Sequence, residues 1–383
     1  MHTYGKQSIN EDDIQAVADV LRSPFITQGP QVEAFEKALC DYTGANYCVV
    51  VSNGTAALHI AVLSLDLPAG SEGITTPLTF SASANSMLYG RITPVFADID
   101  PETYCLDPRQ AEGRITAKTR LMTPVHYAGR TCDMVALKKL ADRHGVKVIE
   151  DAAHAIGSSY PCGAKVGSCK YSDLTIFSFH PVKTITTGEG GAVLTNDRAL
   201  YERLILFRSH GITKNPDFLE QNPGPWYYEM QALGFNYRMT DFQAALGISQ
   251  LKRLDSFAAR RRAIATRYNE AFRDVPHLKT PCSEGNEHLC FHLYTACIDF
   301  SAIQKPRAKF MQELRARGVG TQVHYIPVHL LPYYRKNLGF KRGDYPLAEA
   351  FYGQELSLPL YPDLTDEEVE KVIVAVTQCI ESV

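Results

Sequence analysis

Between residues 47 and 195 the chain alternates between short apolar runs rich in β-branched residues and longer stretches with helical spacing. Tyr47-Cys48-Val49-Val50-Val51 is the first such run, and a helix is predicted to start near Gly54. The pairing recurs at residues 73–76 and 80–89, at 94–97 and 108–114, and at 121–125 and 134–144, before a further strand at 146–151. Parallel strands need a crossover between them, usually a helix, so this alternation with short connections constrains the fold strongly. It predicts an α/β protein with a large, mostly parallel sheet covered on both faces.

In such a sheet, ligands bind in the crevice outside the carboxyl ends of the strands. One strand ends there in Glu150-Asp151-Ala152-Ala153-His154. A buried aspartate needs a cationic partner or a capping role, because an isolated carboxylate is costly to desolvate. Asp151 as an N-cap of the following segment leaves His154 and the next feature without a purpose. That feature is residues 177–191, which place Lys183 in a proline-bounded turn between an apolar strand and a Gly-rich return into Ala192-Val193-Leu194. A lysine in a turn is most often simply solvated. Near buried strands, however, desolvation lowers its pKa and leaves a nucleophilic amine able to form a Schiff base. A lysine Schiff base with an aspartate on the pyridinium nitrogen is the pairing used with pyridoxal 5'-phosphate.

Three more positions fit that cofactor. Ser52-Asn53-Gly54-Thr55-Ala56 turns a strand into a helix, so Gly54 and Thr55 stand where free N–H groups and the helix dipole favour a phosphate. An ordinary capped helix start would look the same. Phe80 heads a helix after a strand end, where its ring could lie against a planar cofactor or in the core.

Elsewhere, helices are predicted at 9–21 and 31–42, with a loop at 23–30 between them, and at 200–207. Residues 215–232 show no period and read as a long loop. Thr240 is placed as the N-cap of one long helix reaching toward Arg260. After residue 256 the pattern becomes α+β, with a strand at 291–298, a helix at 306–317, an extended piece at 320–325 and a last helix at 366–379. A division into a large domain, 1–255, and a smaller one, 256–383, is therefore expected.

Composition excludes several classes. A net charge of -3 shows no basic excess, so nucleic acid is not an expected partner. No apolar run is long enough to span a bilayer and no signal-type segment opens the chain, so no membrane contact and a cytoplasmic location are expected. The ten cysteines form no Cys-x-x-Cys pair, so they are expected to be reduced thiols and no metal site is predicted.

Together, Thr27-Gln28-Gly29, Asn53-Gly54-Thr55-Ala56, Glu150-Asp151-Ala152-Ala153-His154, the Lys183 stretch, Arg208-Ser209-His210-Gly211, Asn236-Tyr237-Arg238 and Val323-His324-Tyr325 resemble the DegT/StrS-type sugar-nucleotide aminotransferases, in family order. The resemblance implies the aspartate-aminotransferase fold, type I among pyridoxal-phosphate enzymes. It implies that Lys183 forms the Schiff base and shuttles protons, Asp151 keeps the pyridine nitrogen protonated, His154 bonds the phenolic oxygen and Phe80 stacks on the ring. Gly54, Thr55 and Ser178 would bind the phosphate, with Asn236 of a neighbouring subunit completing it, which requires a homodimer with shared sites.

Relatives with histidine in place of the lysine dehydrate their sugar; Lys183 favours transamination. The wording of 179–189 and 322–325 is closest to members that aminate a UDP-linked 4-keto-6-deoxy-N-acetylhexosamine with L-glutamate. The resemblance then places Tyr4, Pro24, Phe25, Ile26, Thr27, Arg238, Gln322, Val323, His324 and Tyr325 along the UDP-sugar. Pro24-Phe25 departs from the more polar pair expected there. Arg238 in a surface ion pair and His324 as a buried structural histidine stay open. Rival readings are an enzyme for another nucleotide sugar, of the GDP-perosamine or 3-amino-sugar type, and a non-catalytic regulator of the same fold.

Overall fold

The computed structural model describes residues 1–282 and 285–382. Seven strands form the main sheet: β1 (Tyr47–Val51), β2 (Glu72–Thr75), β3 (Thr93–Phe96), β4 (Thr119–Thr123), β5 (Lys147–Asp151), β6 (Leu174–Ser178) and β7 (Gly191–Thr195). Their order is β1-β7-β6-β5-β4-β2-β3. Pairings from β3 through β6 are parallel, and β7 runs antiparallel to both β6 and β1. β1 lies at the edge, with β7 as its strand neighbour.

Side-chain alternation divides the core in two. Val49 and Val51 of β1, with Ile149 of β5 and Ile176 of β6, face a helix layer that includes Ile60 and Leu58. Cys48 and Val50, with Val148 and Phe177, face the opposite layer, where Phe35 and Leu39 pack. Each Leu, Ile or Phe so buried contributes about 1.5–3 kcal/mol relative to exposure. The helices are α1 (Glu11–Arg22), α2 (Pro30–Thr43), α3 (Gly54–Ser64), α4 (Ala82–Tyr89), α5 (Pro108–Glu112), α6 (Met134–His144) and α7 (Arg198–Arg208), each within about two residues of its predicted bounds.

Two expectations need correction. Residues 215–232 are not a featureless loop, since a 3-10 turn at Pro216–Phe218 and a short hairpin of β8 (Ile212–Thr213) with β9 (Glu229–Met230) organise them. The Glu229 carboxylate accepts the N–H groups of Glu220 and Gln221, a tie between distant residues that no period reveals. The long helix after Thr240 is two helices, α8 (Asp241–Leu251) and α9 (Leu254–Phe272). Thr240 does cap α8, in a capping box with Gln243. The break falls at Lys252 and Arg253, where the Arg253 guanidinium is drawn to the buried Asp13 carboxylate and to the Ser8 carbonyl.

The later part of the chain adds β10 (Leu278–Lys279), β11 (Tyr294–Ile298), α10 (Arg307–Ala316), α11 (Pro332–Leu338), α12 (Pro346–Gln354), β12 (Glu355–Leu358) and α13 (Asp366–Glu381). β10, β11 and β12 form an antiparallel sheet under α9, α10 and α13, around Tyr268, Phe310 and Val372. Helices α11 and α12 and strand β12 were not anticipated; each spans nine residues or fewer. Tyr334 and Phe351 from those helices pack on the first core. The amino-terminal residues join the late elements, as His2 bridges Val319 and the Leu360 N–H donates to the Tyr4 carbonyl.

Candidate active site

Adjacent carboxylates at the end of β5 point to opposite faces, as strand pleating requires. Glu150 turns inward, where it accepts from His126 Nε2 at 2.7 Å, Tyr160 at 2.5 Å and Ser172 at 2.5 Å. Asp151 turns toward the crevice, where its Oδ1 accepts the Ala153 N–H at 3.1 Å and its Oδ2 accepts from Ser83 Oγ at 2.7 Å. Ser83 has one proton, and Thr79 lies 2.7 Å from its oxygen, so Thr79 donates to Ser83 and Ser83 to Asp151. Asp151 is 5 % exposed and takes no ion pair among the described residues.

The crevice is a cavity of about 750 Å³, within the range of cofactor sites. Lys183, Asp151 and His154 line it together with Gly54, Thr55, Phe80 and Ser178, and Tyr4, His324 and Tyr325 complete its wall. Burial lowers the Lys183 amine to about 8, with the Asp151 charge partly offsetting that effect. Burial, and then the nearby Lys183 charge, pushes His154 well below the ordinary imidazole value and His324 down to about 3. Burial also holds His292 well below its usual value, with His154 as the next cause; the two rings lie 4.3 Å apart. The amine therefore sits among neutral imidazoles. Ala128 N–H donates to His154 Nδ1 at 3.3 Å, which leaves the ring proton on Nε2, directed at the Tyr325 oxygen 3.0 Å away.

At the start of α3, Asn53 Oδ1 caps the Ala56 N–H at 2.8 Å. A Cβ on Gly54 would lie 2.9 Å from the Ser178 Cβ, so only glycine lets the ends of β6 and α3 approach this closely.

These features fit pyridoxal phosphate. The buried Asp151 lacks a cation that a protonated ring nitrogen supplies, the amine is in reach of a carbonyl, and a helix start stands ready for a phosphate. Phe80, 60 % exposed, offers its ring at the cavity, and the His292 Nδ1 is buried without a partner among the described residues.

Not every expected residue meets here. Pro24, Phe25, Ile26 and Thr27 do not line this cavity: Pro24 and Phe25 border a separate groove beside α1 and α8, and Thr27 bridges Thr240. Tyr237 faces the cavity and meets His59 Nδ1 at 3.1 Å, while its neighbours Asn236 and Arg238 are not part of the lining. Gln322 and Val323 also stay outside it. His324 is buried, with its backbone and ring both hydrogen-bonded, yet it reaches the wall. Arg238 forms no ion pair among the described residues. Residues not anticipated are Ser83, His59, Tyr237 and His292. Ser83, in the first turn of α4, follows Thr79 of the preceding bend by four residues, and neither it nor His292 carries a local signal of its role.

The fold is that of a type I pyridoxal-phosphate-dependent aminotransferase, and the cavity's residues fit that cofactor. Residues 7–377 match the model of the DegT/DnrJ/EryC1/StrS aminotransferase family, and the chain belongs to that family of sugar aminotransferases. It is 41% identical over 374 residues to the spore coat polysaccharide biosynthesis protein SpsC of Bacillus subtilis, covering 97% of this chain and 95% of that one. Among solved structures it resembles Helicobacter pylori PseC, an aminotransferase involved in the biosynthesis of pseudoaminic acid, with a TM-score of 0.92, 33% identity and 100% of both chains covered. The pyridoxal phosphate form of Streptococcus pneumoniae Spr1654 matches with a TM-score of 0.90 at 32% identity, over 99% of this chain and 98% of that one.

Proposed function

We propose that this enzyme moves the amino group of L-glutamate to the 4-keto carbon of a UDP-linked 4-keto-6-deoxy-N-acetylhexosamine. The product is UDP-4-amino-4,6-dideoxy-N-acetyl-β-L-altrosamine, a precursor of pseudaminic acid. The likeness to PseC across both whole chains carries this reading.

When bound, pyridoxal phosphate supplies the electron sink and carries the amino group between the two half-reactions. Lys183 moves the proton at the reacting carbon in both directions, since an amine of pKa about 8 is both acid and base near neutrality. Asp151, held by Ser83 and Ala153, would keep a proton on the ring nitrogen. The start of α3 and Ser178 would hold the phosphate, Phe80 would pack on the ring, and His154 with Tyr325 would offer hydrogen bonds to it. Tyr4 and His324 bind the nucleotide sugar. Residues 24–27, Asn236 and Arg238 serve the site of a second copy, which makes the working unit a homodimer.

The greater identity to SpsC favours a second reading, amination of a different nucleotide sugar. Incubation of the enzyme with L-glutamate and a panel of 4-keto and 3-keto nucleotide sugars, read by mass spectrometry, decides between them. Amination of the UDP-N-acetyl 4-keto sugar, and its loss in Lys183→Ala, is the expected result. Turnover of another sugar alone sinks the first reading.

A further inference from the structure

Behind the pocket wall, Glu355 of β12 is wholly buried and makes no ion pair among the described residues. Its Oε2 accepts the His324 backbone N–H at 2.8 Å, and its Oε1 accepts from Ser357 Oγ at 2.5 Å. Ser357 has one proton, so with Glu355 ionised its oxygen must accept from His324 Nδ1, 2.8 Å away. His324 Nε2 is then without a proton. It has no partner among the described residues, and the ring lines the cavity. A protonated Glu355 reverses both side-chain bonds, while the His324 backbone N–H still donates to Oε2. Its carboxyl donates to Ser357, Ser357 donates to Nδ1, and Nε2 carries the hydrogen.

We infer that Glu355 and Ser357 form a proton relay that sets the tautomer of His324, and so decides whether Nε2 accepts or donates a hydrogen bond at the nucleotide-sugar end of the pocket. This rests on the placement of His324 beside the sugar nucleotide. The protons balance. One enters at Nε2 from the pocket, the Nδ1 proton passes to Ser357 Oγ, and the Ser357 proton passes to Glu355 Oε1. The imidazole is neutral before and after, and only the carboxylate changes charge. Glu355 and Ser357 are positioning residues that act through His324.

The surroundings agree. Burial lifts Glu355 to about 8, while the backbone and serine hydrogen bonds and the charge of Arg307 oppose the rise. Arg307 of α10 donates to the backbone carbonyls of Tyr352 and Glu355, leaving the carboxylate without a cation. Tyr127, Tyr325 and Cys297, which also face Glu355, are all held protonated by burial. On the pocket side His324 faces Lys183, His154 and the rings of Tyr4 and Tyr325, and its imidazolium is suppressed to about 3. Proton uptake near neutrality therefore falls on the carboxyl and reaches the pocket only through the relay.

The test is 15N NMR of the cofactor-loaded enzyme with labelled histidine, the His324 signals being assigned by their absence in His324→Asn. The wild type should pass from the Nε2–H tautomer at pH 6 to the Nδ1–H tautomer at pH 10, with a midpoint near 8. Glu355→Gln, whose amide oxygen is claimed by the His324 backbone N–H and whose NH2 therefore faces Ser357, should hold Nε2–H at every pH, and Ser357→Ala should abolish the switch. A pH-invariant His324 in the wild type, or a Glu355→Gln enzyme that titrates like it, overturns the relay. The wild-type titration decides even where a variant does not fold. A switch seen in an enzyme inert toward every nucleotide sugar supports the relay and defeats the proposed function instead.

Discussion

The Lys183 amine is the residue on which the chemistry turns, and its surroundings set its working range. With a pKa of about 8 rather than 10.5, about a tenth is neutral at pH 7, a gain of about 300-fold over an ordinary lysine. Capture of pyridoxal phosphate by the apoenzyme should therefore speed up about tenfold per pH unit and level off past about 8. Stopped-flow absorbance between pH 6 and 10 checks this, and a rate still climbing tenfold per unit above pH 9 contradicts it. The sign for stability is the opposite of a salt-bridged lysine. A lowered value means the unfolded chain binds the proton more tightly, so this group costs stability as pH falls from 10.5 through about 8. Ser83→Ala should lower kcat about tenfold and destabilise the fold by about 1.5–3 kcal/mol, because it removes a hydrogen bond to a buried carboxylate; steady-state kinetics and denaturant unfolding check the two. Asp151 was legible because it ends a strand, and Lys183 because it sits in the turn between two strands, where pattern and chemistry coincide. Ser83, His292 and Glu355 were not, because their roles are defined by what approaches them in space.

At the scale of elements, the start of α3 matters most. Gly54→Ala places a methyl group against Ser178, where the ends of two elements converge. The expected outcome is a rise of about tenfold or more in the Kd for pyridoxal phosphate, measured by fluorescence quenching, with a smaller loss in Tm. An unchanged Kd would remove the phosphate from this helix. The parallel strands and their helices could be read from periodicity because each repeats a single rule. The elements β8, β9 and β12 could not, since β8 and β9 span two residues each and β12 lies outside the strand-and-helix alternation, defined by its pairing with β11. The break between α8 and α9 was hidden likewise, because the helical pattern continues while Arg253 is held by Asp13.

For the molecule as a whole, the cavity gathers residues from both ends of the chain, yet leaves Asn236 exposed and outside it. If Asn236 completes the phosphate site of a partner, mixing two inactive variants should restore function. Lys183→Ala and Asn236→Ala, co-refolded, should regain about a quarter of wild-type activity, since random pairing makes half the dimers mixed and each of those holds one intact site. No recovery, alongside dimers by sedimentation, would place Asn236 outside its neighbour's site. The placement of residues 24–27 away from the Lys183 cavity was not readable from the sequence, because motif order does not fix where residues meet in space.

The antiparallel β7 has a consequence for biosynthesis. β1, made early, finds its strand neighbour only in residues 191–195, so during translation that edge waits until well over a hundred further residues have left the ribosome. Loop closure over such a span is slow, and an apolar strand with open hydrogen-bonding groups can meanwhile recruit other chains. Nascent fragments released before residue 191 should therefore aggregate or recruit chaperones, whereas those released after the sheet's edge is sealed should not.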